Sequence, residues 1–102
     1  MPSSLPRTSP PTDAIADVGF LFALANERHA SHPQAAAWFN QQAPGFQLRI
    51  CRPVQIALFR LLTHPDAMGG TPLSVPETWN LFAGLLADPN IGFLHHYLGH
   101  SC

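Results

Sequence analysis

Short apolar runs alternate with polar breaks marked by proline and glycine, and the period changes from one run to the next. Ala14 to Asp17 reads as a short buried strand, apolar until its closing aspartate. Val18 to Asn26 reads as a helix ending in Asn26-Glu27-Arg28, although so uniform an apolar run carries no period that separates helix from buried strand. Ser31 is placed to cap a further helix with Pro33 in its first turn. Ala35, Ala36, Trp38 and Phe39 supply its apolar stripe, and Pro44-Gly45 stops it. Trp38 and Phe39 are expected to anchor the core. Phe46 to Cys51 alternates Gln47 and Arg49 with Leu48 and Ile50, the period of a strand. Pro53 starts a helix whose apolar positions Val54, Ile56, Ala57, Leu58, Leu61 and Leu62 recur at helical spacing, with Gln55, Phe59 and Arg60 around it. Pro65 marks its end, because the residue before a proline avoids the helical region. Met68-Gly69-Gly70-Thr71-Pro72 is a loop with two residues free to take positive φ. Ser74-Val75-Pro76-Glu77 matches a capping box and fixes a helix over residues 75 to 87. After the Asp88-Pro89-Asn90 turn, Ile91 to Leu94 reads as the last strand. The order strand, two helices, strand, two helices, strand predicts an α/β fold with a short parallel sheet flanked by helices and joined by right-handed crossovers.

The 102 residues, 46% of them hydrophobic, suffice for one core. Residues 1–12, rich in proline and serine, read as a disordered leader without the apolar region of a signal peptide. Residues 13–94 carry the domain, and residues 95–102 read as an aberrant tail. Lysine is absent and five arginines face six acids, so no broad positive field gathers nucleic acid by charge alone. Cys51 and Cys102 do not form the spaced set of a secreted disulfide scaffold, which makes a reducing cytoplasm the expected compartment. No apolar segment reaches the roughly 18 to 20 residues that span a bilayer, so no membrane association is expected.

Asp17 is the residue most out of keeping with its apolar surroundings. A carboxylate there calls for a cation or hydrogen-bond donors. At the carboxyl end of a parallel strand it could ligate a hard cation such as Mg²⁺, or it could cap the following helix, favoured by the helix dipole. His96, His100 and Cys102 have zinc-ligand chemistry, but Gly99 argues against the helix that would bring the two histidines together. His29 and His32 read as helix-entry and packing residues without a third ligand. Arg49 is assigned to surface charge or intramolecular pairing, whereas Arg52 and Arg60 remain open to phosphate contact.

Several separated blocks resemble a known family in order and spacing. They are Asp17-Val-Gly-Phe-Leu-Phe-Ala-Leu-Ala-Asn26, His29-x-x-His32, Ala36-Ala37-Trp38-Phe39, Cys51 to Thr63 with Pro65, and Leu86 to Leu94. Residues 14 to 94 are similar to the first two-thirds of a PIN domain of the VapC-like toxin branch. The resemblance implies a PIN-like three-layer fold and a Mg²⁺- or Mn²⁺-dependent endoribonuclease, commonly a homodimer, silenced by a cognate antitoxin. In such sites several carboxylates share one or two divalent ions that activate water and neutralise the scissile phosphate. The resemblance makes Asp17 the first family acid, catalytic and metal-binding. Gln55 stands where many members carry the second acid, and would orient the ion or its water.

The third and fourth family acids belong to a later helix and strand, which the resemblance leads us to expect as missing here through a premature stop or frameshift. Gly19 replaces a common Asn, and Thr63-His64-Pro65 replaces Thr-Asn-Pro. The leading expectation is a VapC-like toxin that hydrolyses RNA phosphodiesters, impaired by truncation. The alternative is a catalytically dead module that dimerises or binds an antitoxin through the helices at 18 to 26 and 53 to 63.

Overall fold

A computed structural model describes residues 13–94. Their elements in chain order are β1 (Asp13–Ile15), α1 (Val18–Ala25), α2 (His32–Asn40), β2 (Gln47–Ile50), α3 (Arg52–Leu62), α4 (Val75–Ala87) and β3 (Ile91–Phe93). The strands form one parallel sheet in the order β1-β2-β3, with Ala14 opposite Leu48 and Leu48 opposite Ile91. The α/β class and the short parallel sheet follow the sequence pattern. The expected leader, residues 1–12, and tail, residues 95–102, lie outside the described residues.

Local chemistry explains the boundaries. Cys51 leaves β2 in an extended conformation at the N-cap of α3, and Pro53 sits in the first helical positions, where its missing N–H costs nothing. The capping box at α4 forms in full: the Ser74 hydroxyl accepts the Glu77 N–H at 3.2 Å, and the Glu77 carboxylate accepts the Ser74 N–H at 2.8 Å. Those bonds, the Ser74 backbone first, hold the exposed Glu77 carboxyl below its ordinary range. Gly69 and Gly70 take φ of 64° and 90°, and the Gly70 N–H closes the turn on the Pro65 carbonyl at 2.8 Å.

The core draws on every layer: Leu21 and Phe22 from α1, Phe46 just before β2, Leu48 and Ile50 within it, Leu58 and Leu62 from α3, Met68, Phe82 and Ile91. Helix α1 packs on α2 and α3, and α4 packs on β3. No helix among the described residues is long and apolar enough to cross a membrane.

Three details depart from the sequence reading. The strands are shorter than drawn, since each ends where its chain turns into a helix cap or leaves the ladder. Trp38 is 42% exposed rather than a core anchor, standing edge-to-face with Phe20 and Phe46. Ser31 precedes α2, but its hydroxyl makes no cap bond because its ψ of 7° is not the extended geometry of a capping residue.

Helix α3 holds the most consequential detail. Its buried stripe runs Gln55, Leu58, Leu62, the spacing of one helix face. Ile56 falls off that stripe and is 47% exposed. A glutamine therefore occupies a core-facing position and an isoleucine faces outward.

Candidate functional site

Asp17 leaves β1 in an extended conformation, φ −83° and ψ 145°, and becomes the N-cap of α1. Its Oδ2 accepts the N–H of Gly19 at 3.0 Å and of Phe20 at 3.4 Å. The carboxylate thus satisfies two amides that a helix start leaves without partners, and its charge suits the helix dipole. Both bonds go to Oδ2; Oδ1 takes no part in them. Gly19 fits this turn closely, because a Cβ there would lie 3.1 Å from Asp17 Oδ2.

Beside the aspartate opens a cleft of about 600 Å³, lined chiefly by apolar groups including Ile15, Phe20, Ala35, Trp38 and Leu48. It runs along β1, whose neighbour in the sheet on the other side is β2. Because the Ala16 N–H donates to the Arg49 carbonyl at 2.8 Å, alternate residues of β1 direct their backbone groups toward β2 and the intervening Ile15 directs its own away.

Gln55 is one turn into α3, off the end of the adjacent strand β2. The topology brings the starts of α1 and α3 to the same carboxyl edge of the sheet, the edge where open α/β sheets bind ligands. The two side chains nevertheless line different clefts, Asp17 the one along β1 and Gln55 a groove between α3 and α4. Gln55 is 8% exposed, and its Oε1 is buried without a hydrogen-bond partner among the described residues.

The donor set for a divalent cation is thin. All six acids of the sequence lie within residues 13–94. Among the described residues no three His, Cys, Asp or Glu side chains are grouped to hold a metal ion. One carboxylate, already accepting two amides, does not by itself fit a hard cation that requires six or more oxygen ligands.

The three described histidines bond to the backbone. His29 Nδ1 accepts the Ser31 N–H at 2.9 Å, and its ring meets Phe22 edge-to-face. His32 Nδ1 lies 2.9 Å from the Ala23 carbonyl, which makes Nδ1 its protonated nitrogen. His64 Nδ1 accepts the Asp66 N–H at 3.2 Å, the turn-forming bond an asparagine oxygen would make in its place. Arg49 pairs with Asp13 at 3.4 Å across the first two strands, on the surface. Arg52 lies over the Phe93 ring, 5.4 Å from its centroid, and Arg60 stays exposed.

Sequence reasoning did not find the α3–α4 groove. Its walls are Ile56, Phe59 and Trp79, with Arg52 and Arg60 at its rim. The available signal was the outward position of Ile56, four residues from both Arg52 and Arg60.

The chain is 36% identical over 81 residues to Ribonuclease VapC41 of Mycobacterium tuberculosis strain CDC 1551 / Oshkosh, covering 76% of this chain and 55% of that protein. The VapC41 of strain ATCC 25618 / H37Rv gives the same values, 36% over 81 residues. The chain therefore spans about half the length of the curated relatives it matches, 55%. No family model matches it, and no solved structure matches it.

Proposed function

We propose that this chain carries the VapC-like PIN-domain unit of an RNA-cleaving toxin, with Asp17 as the carboxylate its chemistry depends on. The observation that carries the reading is a conjunction. The likeness to a ribonuclease extends over 81 residues, and Asp17 stands at the carboxyl edge of a parallel sheet with a cleft beside it. Asp17 fixes the first turn of α1 through its two amide bonds and places a negative charge at the cleft mouth. A divalent ion such as Mg²⁺ or Mn²⁺, when bound in such sites, neutralises charge on the scissile phosphate and lowers the pKa of water. The described residues of one copy do not assemble the acids for that ion. A cognate antitoxin and a second copy of the chain are the partners this reading entails.

The second reading is an antitoxin-binding module without cleavage. One specific observation favours it: the absence of an acid cluster around Asp17 among the described residues. The two readings separate in one assay. Structured RNA is incubated with the purified chain in Mg²⁺ or Mn²⁺, alongside Asp17→Asn. Asp17-dependent cleavage supports the nuclease; antitoxin capture without cleavage by either protein supports the module and defeats the nuclease.

A further inference from the structure

Three features meet in the groove of about 390 Å³ between α3 and α4. The first is Gln55, whose amide is more than nine-tenths buried with Oε1 lacking a partner among the described residues. A buried amide in that state gains from any ligand edge that offers it a hydrogen bond. Gln55 is itself one of the residues lining the groove, and its broad terminal torsion lets either the oxygen or the nitrogen of the amide turn to a ligand edge there. The second is aromatic surface: Trp79 is 53% exposed, and its ring is held edge-to-face by Phe59 at 4.7 Å. The third is charge. Arg52 and Arg60 sit at the exposed rim, about 12 Å apart along the helix axis at 1.5 Å per residue, and no residue lining the groove is acidic.

An apolar partner would cover Trp79 but leave the Gln55 amide unpaired and the arginines without counter-charges. A two-fold pairing of two copies through this groove would set Arg52 and Arg60 of each copy against the same positive rim. A nucleobase with its phosphates meets all three features at once. Its face stacks on an aromatic ring, its edge offers donors and acceptors to an amide, and its phosphates suit guanidinium forks.

We propose that the α3–α4 groove seats one base of single-stranded RNA, stacked on Trp79, hydrogen-bonded to Gln55 and flanked by phosphates on Arg52 and Arg60. The inference rests on the reading of RNA as the molecule this protein acts on, and it adds a base-reading site apart from the Asp17 cleft.

The test uses the full 102-residue chain in EDTA at low salt, so that binding is measured without cleavage. Fluorescence anisotropy compares a short single-stranded RNA with an abasic ribose-phosphate oligomer of the same length. The wild-type protein is expected to prefer the RNA by about tenfold, the scale of one base–aromatic stack. Trp79→Ala and Gln55→Leu should each remove most of that preference, whereas Arg60→Gln should weaken both oligomers alike. Gln55→Leu adds a readout that a structural role would not give: its melting temperature should rise, because the unpaired amide is gone, while base preference falls. Equal binding of the two oligomers, a preference that survives Trp79→Ala, or a dimer that Trp79→Ala dissociates with no RNA binding would each overturn the proposal. Cleavage that persists without base preference sinks this inference alone; base preference without cleavage sinks only the nuclease reading.

Discussion

Replacing Asp17 separates what that carboxylate does for folding from what it does for chemistry. In the folded chain it holds two amides of α1, at 3.0 and 3.4 Å, and α1 carries Leu21 and Phe22 into the core. Truncation to alanine at an N-cap costs about 0.5–2 kcal/mol. For a domain of this size each kcal/mol lowers the melting temperature by about 4–8 °C, so Asp17→Ala should melt about 2–16 °C below wild type. Asp17→Asn keeps an oxygen acceptor in the same place and loses only the charge at the helix N-terminus, a contribution of about 0.3–1 kcal/mol at a surface site. It should therefore lie between the other two proteins. Thermal melts followed by far-ultraviolet circular dichroism at neutral pH decide the order. Asp17→Ala melting with wild type would refute the capping role, and Asp17→Asn as damaging as Asp17→Ala would show that charge rather than hydrogen bonding holds the turn. The same ranking makes Asp17→Asn the variant to use where activity is the readout.

Other perturbations follow from the same geometry. The folded pKa of Glu77 is depressed by the Ser74 bonds, so its stabilisation is complete above the ordinary carboxylate pKa and is lost as pH falls through the lowered folded value. Melting temperatures of wild type and Glu77→Gln should accordingly converge as pH is lowered through that window. Leu58→Ala, at a fully buried position, should cost about 2–5 kcal/mol in urea unfolding, while Ile56→Ala on the outer face of the same helix should stay within about 0.5 kcal/mol. Gly70→Ala, at a φ of 90°, should cost on the order of 1 kcal/mol, because an L side chain is strained in the left-handed region.

Most elements were legible because their punctuation is local. Pro53, the Ser74-Glu77 box and the Gly69-Gly70 pair each dictate backbone geometry within a few residues, and the structure places boundaries at all three. Trp38 departs from the core place expected of it because a stripe of apolar residues does not say which of its members reaches the sheet's rim, a matter settled by how α2 meets Phe20 and Phe46. Gln55 shows the converse. Its spacing with Leu58 and Leu62 puts it on the buried face, whereas its expected place in the site came from the family resemblance and not from its local pattern. Asp17 stood out as a charged break in an apolar run, and its capping bonds were among the outcomes that pattern allowed. Which acids and clefts surround it depends on contacts between elements distant in sequence, which no local pattern encodes.

The measurement that bears most directly on the central reading is the single-turnover rate of RNA phosphodiester cleavage by wild type and Asp17→Asn, in Mn²⁺ and at matched folded fraction. If Asp17 carries the chemistry, the 102-residue chain cleaves slowly and its rate falls by at least about tenfold when the charge at position 17 is removed. Equal rates in the two proteins, or no cleavage by either, would contradict it.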